Sequence, residues 1–548
     1  MSMIALLRER VSHDKAAPLL IDAHPQRPVT VARDEFWRRV QSLRGNLAAH
    51  GVRTGDCIAV WLPNWSDALV WQFAAVASGA HVIGINTRYN VAEVAHVLEL
   101  ARPSVVAVAH DFLALDLRAR LKAAAQAVAA PAPSVAVIAG PHRTAPSAAD
   151  CAAYDLGAGA WTPVDLPNEA SLADDPDRLA VAFTTSGSTG KPKLAAHSVG
   201  AVARHALACA ASGWTPASVA VIALPLSGVF SFVPAMAMIA AGGVCLLEPA
   251  FEPARIVADI QRFRATHLVG GDDVVGRLFD AAASRPGALS SLQRLLMADF
   301  NGRSEELFRW AEDTLGVKTG GVYGSSELFA LTSFWPPDEP APHRWRGGGR
   351  PVSTEIEVRA GDPQTGAALP AGQPGELQFR GYIVVDAYLG DPDRRATVLT
   401  SDGWFRSGDL GTVGLDGGFD YLCRIGDALR LKGFLVEPAE IEGRLAAHPA
   451  VEICKVVGLR SRDGETQAVA FVVPRAGQAI EPEALKTWCA DELARYKVPQ
   501  AVHIIAEMPV TSGVNGAKIR ASTLREWAGS LAENPGFVIP STRDISEP

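Results

Sequence analysis

The chain has 548 residues, 48% of them apolar and 20% charged, and carries a net charge of −8. That length exceeds a single core, and the composition fits a soluble globular enzyme of two or more domains. The negative balance, without any long basic run, argues against nucleic acid or an anionic membrane as the main partner, so any polyanion it binds is expected to be small.

Seven scattered cysteines (Cys57, Cys151, Cys209, Cys245, Cys423, Cys454, Cys489) form no CxxC pair, which points to reduced, buried thiols in a cytoplasmic protein and away from a zinc site. Met1 to Leu7 is apolar only briefly before Arg8, Glu9 and Arg10, which is not a signal-peptide core. Glu35 to Ala49 carries Phe36, Val40, Leu43 and Leu47 at helical spacing and closes on His50-Gly51, a helix and then a turn. Cys57 to Leu62 predicts a buried strand, Ser66 to Ser78 a helix and His81 to Ile85 another strand. Such alternation predicts helices packed on a largely parallel sheet. Ala123 to Ala149, rich in Ala and Pro, is expected to include a surface excursion.

Leu179 to Phe183 is an apolar run that predicts a buried strand. The next ten residues, Thr184-Thr185-Ser186-Gly187-Ser188-Thr189-Gly190-Lys191-Pro192-Lys193, combine hydroxyls, glycines and two lysines. Glycines let backbone N–H groups turn toward an anion, hydroxyls donate further hydrogen bonds and lysines supply charge, so this stretch predicts a phosphate clamp. It is not a Walker A loop, because Pro192 follows Lys191 and Leu194 to Ala196 predict a second strand before a helix starts near Ser198. Beyond it the β/α alternation resumes, with strands at Val219 to Leu224, Gly243 to Leu247, His267 to Val269 and Arg294 to Met297 and a helix at Pro253 to Phe263. Val229 to Leu247 is uncharged and long enough to span a bilayer, but Pro234 and Gly242-Gly243 favour a buried helix, a glycine turn and a strand.

From about Glu355 short strands separated by Gly, Pro and Asp (Glu355 to Arg359, Gly375 to Arg380, Gly418 to Arg424) suggest an antiparallel sheet or barrel. Past Arg424 the pattern becomes a compact α+β unit: helices at Pro438 to His448 and Pro482 to Tyr496, strands at Val451 to Leu459, Gln467 to Val473 and Ala501 to Ala506. The boundary is placed at Arg424 to Ala428.

Two later stretches carry chemistry. Gly320-Gly321-Val322-Tyr323-Gly324-Ser325-Ser326-Glu327 sets an aromatic face, two hydroxyls and a carboxylate on a glycine-relieved turn, suited to an adenine and a hard cation. Trp404-Phe405-Arg406-Ser407-Gly408-Asp409 presents one acid, able to accept two hydrogen bonds from a ribose diol.

In this order, with Gly55-Asp56, Leu62-Pro63-Asn64, Gly349-Arg350-Pro351, Arg424, Lys432-Gly433-Phe434, Pro438-x-Glu440-Ile441-Glu442 and Gly516-Ala517-Lys518-Ile519-x-Arg520, the motifs resemble the adenylate-forming (ANL) superfamily. That family includes acyl-CoA synthetases, adenylation domains of peptide synthetases and beetle luciferase, and the resemblance runs from about Thr30 to Arg520. It implies an α/β fold: a large N-terminal domain (1–424) of mixed β-sheets with packed helices plus a β-barrel-like subdomain, a hinge at 425–428, and a small mobile C-terminal α+β domain (429–548).

The resemblance also implies roles. Thr185, Ser186, Gly187, Ser188, Thr189, Gly190, Lys191 and Lys193 would wrap the β- and γ-phosphates of ATP. Tyr323 would stack on adenine beside Gly324, Ser326 would touch the α-phosphate, and Glu327 would hold magnesium. Asp409 and Arg424 would grip the ribose, and Lys518 would reach the α-phosphate and the attacking carboxylate. The Lys432-Gly433 face would guide a thiol after rotation of the small domain. The acid would lie among Val229, Phe230, Phe232, Gly320, Gly321 and Leu328, an apolar set in which small glycines leave room for a medium or long aliphatic or an aromatic acid.

Several positions depart from the family pattern. Leu194 replaces a glycine, Gly426 stands at the hinge, the Lys518 loop is long, no His follows Pro225, and Ala298-Asp299-Phe300-Asn301-Gly302 replaces a Gly-Gly-Ala turn. Asp272 and Asp273 are expected to cap the helix that follows them. The implied activity is an ATP-dependent carboxylic acid:CoA ligase with ATP, Mg2+ and free coenzyme A. A stand-alone enzyme loading an acyl carrier protein and a non-catalytic AMP or acyl-CoA sensor remain alternatives. No nucleic acid and no stable membrane insertion is expected, and a homodimer is left open.

Overall fold

The computed structural model describes residues 2–141, 143–166, 168, 170–185, 192–427, 429–431, 434–436, 438–460, 466–513, 516–534 and 537–540. Within them one sheet has eight strands. Its centre is parallel: Cys57–Trp61 lies between His81–Gly84 and Val105–Ala109. Every residue of Cys57–Trp61 and Val105–Ala109 is buried, as expected where helices cover both faces of a parallel sheet. Leu179–Thr185 joins beside His81–Gly84 and turns back as the antiparallel Lys193–Ser198.

The stretch 123–149 includes the expected surface connection, at 127–132, where every residue is exposed or half-buried. It also holds the end of the helix Leu117–Gln126, a strand Ser134–Ile138 in parallel register with Val105–Ala109, and the start of the helix Ala148–Tyr154. Five strand residues flanked by Ala- and Pro-rich chain gave too short an apolar run to stand out.

The second sheet has thirteen strands. Val244–Leu247, Val219–Ile222, His267–Gly271, Arg294–Ala298 and Lys318–Ser325 are parallel neighbours in that order. At Phe329–Phe334 the sheet becomes antiparallel and continues through Gly348–Pro351, Phe419–Arg424, Phe405–Val413, Gly375–Arg380 and Glu357–Gly361. The Gly/Pro-punctuated strands are therefore an extension of the parallel sheet, joined edge to edge.

The apolar stretch at 229–247 is a fully buried helix, Val229–Ala241, a left-handed Gly242 and a strand, Val244–Leu247. Arg10 and Arg33 donate to the carbonyls of Ala240 and Gly242 at 2.8 and 2.7 Å, placing two cations at the negative end of the helix. Among the described residues no helix is long and apolar enough to cross a membrane.

The C-terminal unit is built on Val451–Arg460, Thr466–Pro474 and Ala501–Ile504. Strand alternation divides its core in two. Ala468, Ala470 and Val472 pack with Ile441, Leu445, Leu485 and Cys489, and Val469 and Phe471 pack with Leu524, Trp527 and Ala528. The helix expected over 482–496 ends at Ala490, and Arg495–Lys497 is a single 3₁₀ turn. Pro499 disfavours a helical Val498, and the chain turns inward so that Leu493, Tyr496 and Val498 pack against the first of these cores.

Gly349, at the junction of the two halves of the large sheet, has φ +112°, and an added Cβ would lie 2.2 Å from the Phe334 carbonyl carbon. Gly349→Ala should therefore lower stability by about 2–4 kcal/mol, read as a fall in the urea midpoint with an unchanged slope.

Candidate active site

Thr185 pairs with Lys193 across the antiparallel strands, so the hydroxyl- and glycine-rich segment connects two strands. Ser186, Gly187, Ser188, Thr189, Gly190 and Lys191 lie outside the described residues. Both ends of the segment are fixed. Tyr89 Oη and Thr184 Oγ1 share a hydrogen bond of 2.7 Å, and His96 Nε2 donates to the Pro192 carbonyl at 2.6 Å. Among the described residues Thr185 Oγ1 is buried without a hydrogen-bond partner. An unsatisfied buried hydroxyl costs about 1–3 kcal/mol, which a phosphate oxygen held at this segment would relieve. The Lys193 pKa is lowered first by burial and then by the neighbouring cation Arg394, with Glu327 and Asp391 opposing. Arg394 has a buried Nε without a partner and was not singled out from sequence.

The strand Lys318–Ser325 delivers the second motif and reverses into Phe329–Phe334. A Cβ on Gly324 would stand 2.4 Å from the Phe329 carbonyl oxygen, so the reversal requires glycine. Phe329 and Leu331 have φ of 62° and 56°, a left-handed conformation costly for bulky residues. A ring stack holds them. Phe329 lies against His197 at 3.9 Å and against His205 at 4.9 Å, and the Nε2 atoms of the two histidines donate to the carbonyls of Ser326 and Ala330, each at 2.7 Å. Burial pushes both imidazoles down to about 4, so they are neutral near pH 7 and fix the turn bearing Ser326 and Glu327. Ser326 Oγ in turn donates to the Thr184 carbonyl at 3.5 Å, joining this turn to the phosphate segment.

Burial raises the Glu327 carboxyl pKa, with Arg424 and Lys193 among the groups that oppose it. Among the described residues no cluster of three His, Cys, Asp or Glu could hold a metal. A single desolvated carboxylate fits magnesium whose remaining ligands are phosphate oxygens and water, the usual manner of binding for that ion.

Asp409 and Arg424 are cross-strand partners. Tyr323 Oη donates to Asp409 Oδ2 at 2.6 Å, and Arg424 Nε lies 3.1 Å from Oδ1. Burial raises the Asp409 pKa, and Arg424 and Tyr323 counter it. The Tyr323 ring is 7% exposed, with Phe379 stacked on it at 5.5 Å and Phe419 edge-on at 5.2 Å. It forms a fixed wall with one face already covered.

Lys518 lies on Gly516–Ile519, paired with Val510–Gly513. Its Nζ stands 4.1 Å from the Phe300 ring centroid. Burial first and the repulsion of Arg424 second bring its pKa down to about 8, with Asp409 and Asp273 opposing. The lysine of the small unit and the acid–arginine pair of the large one thus face a common cleft. Lys432 and Gly433 lie outside the described residues.

The candidate acid pocket is brought together only in part. Val229, Phe230, Phe232 and Leu328 are buried. Phe232 packs edge-on against Phe183 at 5.3 Å and belongs to the core, whereas Phe230 reaches Phe300 at 6.2 Å. Gly321 does not leave room for the acid: a Cβ there would lie 2.3 Å from the Arg346 carbonyl oxygen, so it admits neighbouring chain, whereas one on Gly320 would make only an ordinary contact, 3.4 Å from Leu296 Cδ2. Asp272 also differs from its expected role. It accepts from the N–H groups of Phe300, Asn301 and Arg303 at 3.2, 2.9 and 3.2 Å and from Asn301 Nδ2 at 3.0 Å, and so clamps the neighbouring turn.

The family profile of AMP-binding enzymes matches residues 7–389, and that of the AMP-binding enzyme C-terminal domain matches residues 440–513. The chain is 30% identical over 483 residues to a feruloyl-CoA synthase of Amycolatopsis, covering 87% of this chain and 90% of that protein. It is 28% identical over 515 residues to the 4-coumarate–CoA ligase-like 6 of Oryza sativa subsp. japonica, covering 90% of this chain and 81% of that one. Among solved structures, ATP-bound MatB from Rhodopseudomonas palustris superposes with a TM-score of 0.82 at 25% identity, covering 97% of this chain and all of that one. The amide bond synthetase McbA from Marinactinospora thermotolerans gives 0.78 at 26% identity, covering 96% of this chain and 99% of that one.

The seating of Lys518 has a direct check. Labelling with a small amine-reactive probe, followed residue by residue in the mass spectrometer, should show its amine becoming reactive with a midpoint near 8 rather than at the ordinary 10.5. A midpoint above 10 would mean that the strand does not lodge in this cleft.

Proposed function

Because the chain belongs to the AMP-binding enzymes, we propose an acid class and a set of working residues for the reaction it carries out as an AMP-forming acid–thiol ligase. In that reaction a carboxylic acid and ATP give acyl-AMP and pyrophosphate, and coenzyme A then takes the acyl group as a thioester.

The proposed acid is aryl or aryl-alkenyl. Support comes from the two phenyl rings, Phe230 and Phe300, set edge-to-face beside Lys518, and from relatives named for ferulate and coumarate. Thr185 and Lys193 would receive the outer phosphates, with Ser186 to Lys191 completing the wrap. Glu327 would hold magnesium, which when bound neutralises phosphate charge. Tyr323 would wall the adenine, Asp409 would accept from the ribose hydroxyls, and Arg424 would keep Asp409 ionised.

The observation that carries the reading is the convergence of Lys518 with Asp409 and Arg424. A carboxylate attacking phosphorus needs positive charge where the negative charge of the transition state collects. The Lys518 ammonium would supply it while also drawing in the acid. The domain division, 1–424 and 429–548 about a hinge at 425–428, is supported by how that segment is held. Ile425 N–H bonds back to Gly408 of the large domain at 2.9 Å, whereas the Gly426 carbonyl and the Asp427 carboxylate accept from Arg525 of the last helix. Lys432 and Gly433 would face the thiol after rotation. A cytoplasmic location is supported by seven buried cysteines, none of them in a disulfide, and a homodimer is left to measurement of mass in solution.

Pyrophosphate release with ATP, magnesium and a panel of aryl, aryl-alkenyl and straight-chain acids, with and without coenzyme A, tests the reading when products are identified by mass. Acyl-AMP alone without coenzyme A, acyl-CoA with it, and kcat/KM highest for the aryl acids are expected. Adenylate that never becomes thioester would assign another acceptor, and a preference for straight chains would overturn the acid class. In the same assay Lys518→Ala should lower adenylation by about a hundredfold or more, with a much smaller effect on thioester formation from supplied acyl-AMP.

A further inference from the structure

Lys518 belongs to the small domain, yet its ammonium ends on a ring of the large one, 4.1 Å from the Phe300 centroid. That ring is held on several sides. It meets Phe230 edge-on at 6.2 Å and an interplanar angle of 72°. It is also wedged over Gly271, where an added Cβ would come within 2.8 Å of Phe300 Cδ2. The backbone beneath it is fixed by the four hydrogen bonds to Asp272. An ammonium is attracted to the face of a phenyl ring at this distance, and more strongly where water is excluded.

We propose that Phe300 is a positioning residue for adenylation: its ring face docks the Lys518 ammonium over the reacting groups, and Asp272 holds that dock by clamping the turn beneath it. The inference rests on the assignment of Lys518 to the adenylation step. The other charges facing Lys518 are Arg424, which repels it, and Asp409 and Asp273, which attract it. Asp409 also serves Tyr323 and Arg424, and the ring adds a neutral attraction that neither neutralises the ammonium nor competes with it for the acid.

The test separates the two half-reactions. Phe300→Leu keeps an apolar side chain without a π face, and Phe300→Tyr keeps the face. At saturating acid and ATP, Phe300→Leu should lower the adenylation kcat roughly tenfold, Phe300→Tyr should restore most of it, and both should make thioester from supplied acyl-AMP and coenzyme A within about twofold of the parent rate. The ring favours the charged lysine, so its loss lowers the pKa of Lys518. The alkaline limb of adenylation, where the ammonium is lost, should therefore move to lower pH by roughly half a unit or more.

Unchanged adenylation with an unmoved limb would overturn the proposal. So would a rise confined to the KM for the acid, which would make Phe300 a pocket wall only. Should Phe300→Leu fail to fold by circular dichroism, Phe300→Met carries the same comparison. A parent chain that forms no acyl-AMP with any acid, although folded, would instead overturn the activity reading, and this inference with it.

Discussion

Two anions must meet in this cleft, and most of its construction follows from that. A carboxylate and a phosphate brought to about 4 Å repel by roughly 4 kcal/mol per pair of charges at a protein-like effective dielectric. The chain meets the repulsion with cations drawn from three places: Lys193 at the start of the strand after the phosphate segment, Arg424 at the end of the last strand of the large sheet, and Lys518 from the small domain. A cation partly withdrawn from water is stabilised by a nearby carboxylate; Lys193 and Lys518 are half-buried, and the Arg424 side chain is 55% exposed. Each has a carboxylate in view, Glu327 for Lys193, Asp409 for Arg424, and Asp409 with Asp273 for Lys518. The Lys518 pKa is brought down to about 8, by burial first and by Arg424 second.

The sheet brings these groups together with little help from long loops. Gly271 is in register with Ala298, and Met297 with Gly321, so three adjacent parallel strands end side by side. Their carboxyl ends launch Asp272 and Asp273, then Asp299 and Phe300, then Tyr323 through Glu327. Crevices at the carboxyl ends of parallel strands are where open α/β sheets place ligands. The antiparallel extension then folds Asp409 and Arg424 against Tyr323. Neither half of the sheet would complete the nucleotide site alone, and the close approach at Gly349, where no side chain fits, is the cost of joining them.

How much of this could be read from sequence depended on whether a residue's role was local. The hydroxyl- and glycine-rich segment, the Tyr323 turn and the Asp409 turn stood out as candidates because glycine, hydroxyl and charge occur together over a few residues, and Lys518 because a motif surrounds it. His197 and His205 were not legible: each is a single imidazole among small apolar residues, and their common purpose, bracing Phe329 from a strand and a helix, exists only in three dimensions. Phe300 was noticed as an odd member of a turn, but nothing local reveals that a lysine more than two hundred residues later lies on its face. Gly321 was misread as to reason, because whether its missing side chain makes room for ligand or for backbone is decided by the 345–346 segment, remote in sequence.

The nature of the contact between Lys518 and Phe300 follows from what the small domain has to do. A lysine that serves one half-reaction and withdraws for the next must be held firmly enough to populate the reactive arrangement and loosely enough to leave. A buried ion pair with satisfied hydrogen bonds is expensive to break by removal of one partner, about 3–5 kcal/mol, and would tie the rotation of the whole domain to that barrier. An aromatic face gives about 0.5–2 kcal/mol and leaves nothing uncompensated when the ammonium departs. At the proposed hinge, between the Ile425 bond to Gly408 and the Arg525 bonds to Gly426 and Asp427, nothing among the described residues lies within 4 Å of the position a Gly426 Cβ would take, which is the open surrounding a rotation there would need. The cleft thus combines a fixed wall, the Tyr323 ring between Phe379 and Phe419, with an ammonium of the C-terminal unit that lies on an aromatic face.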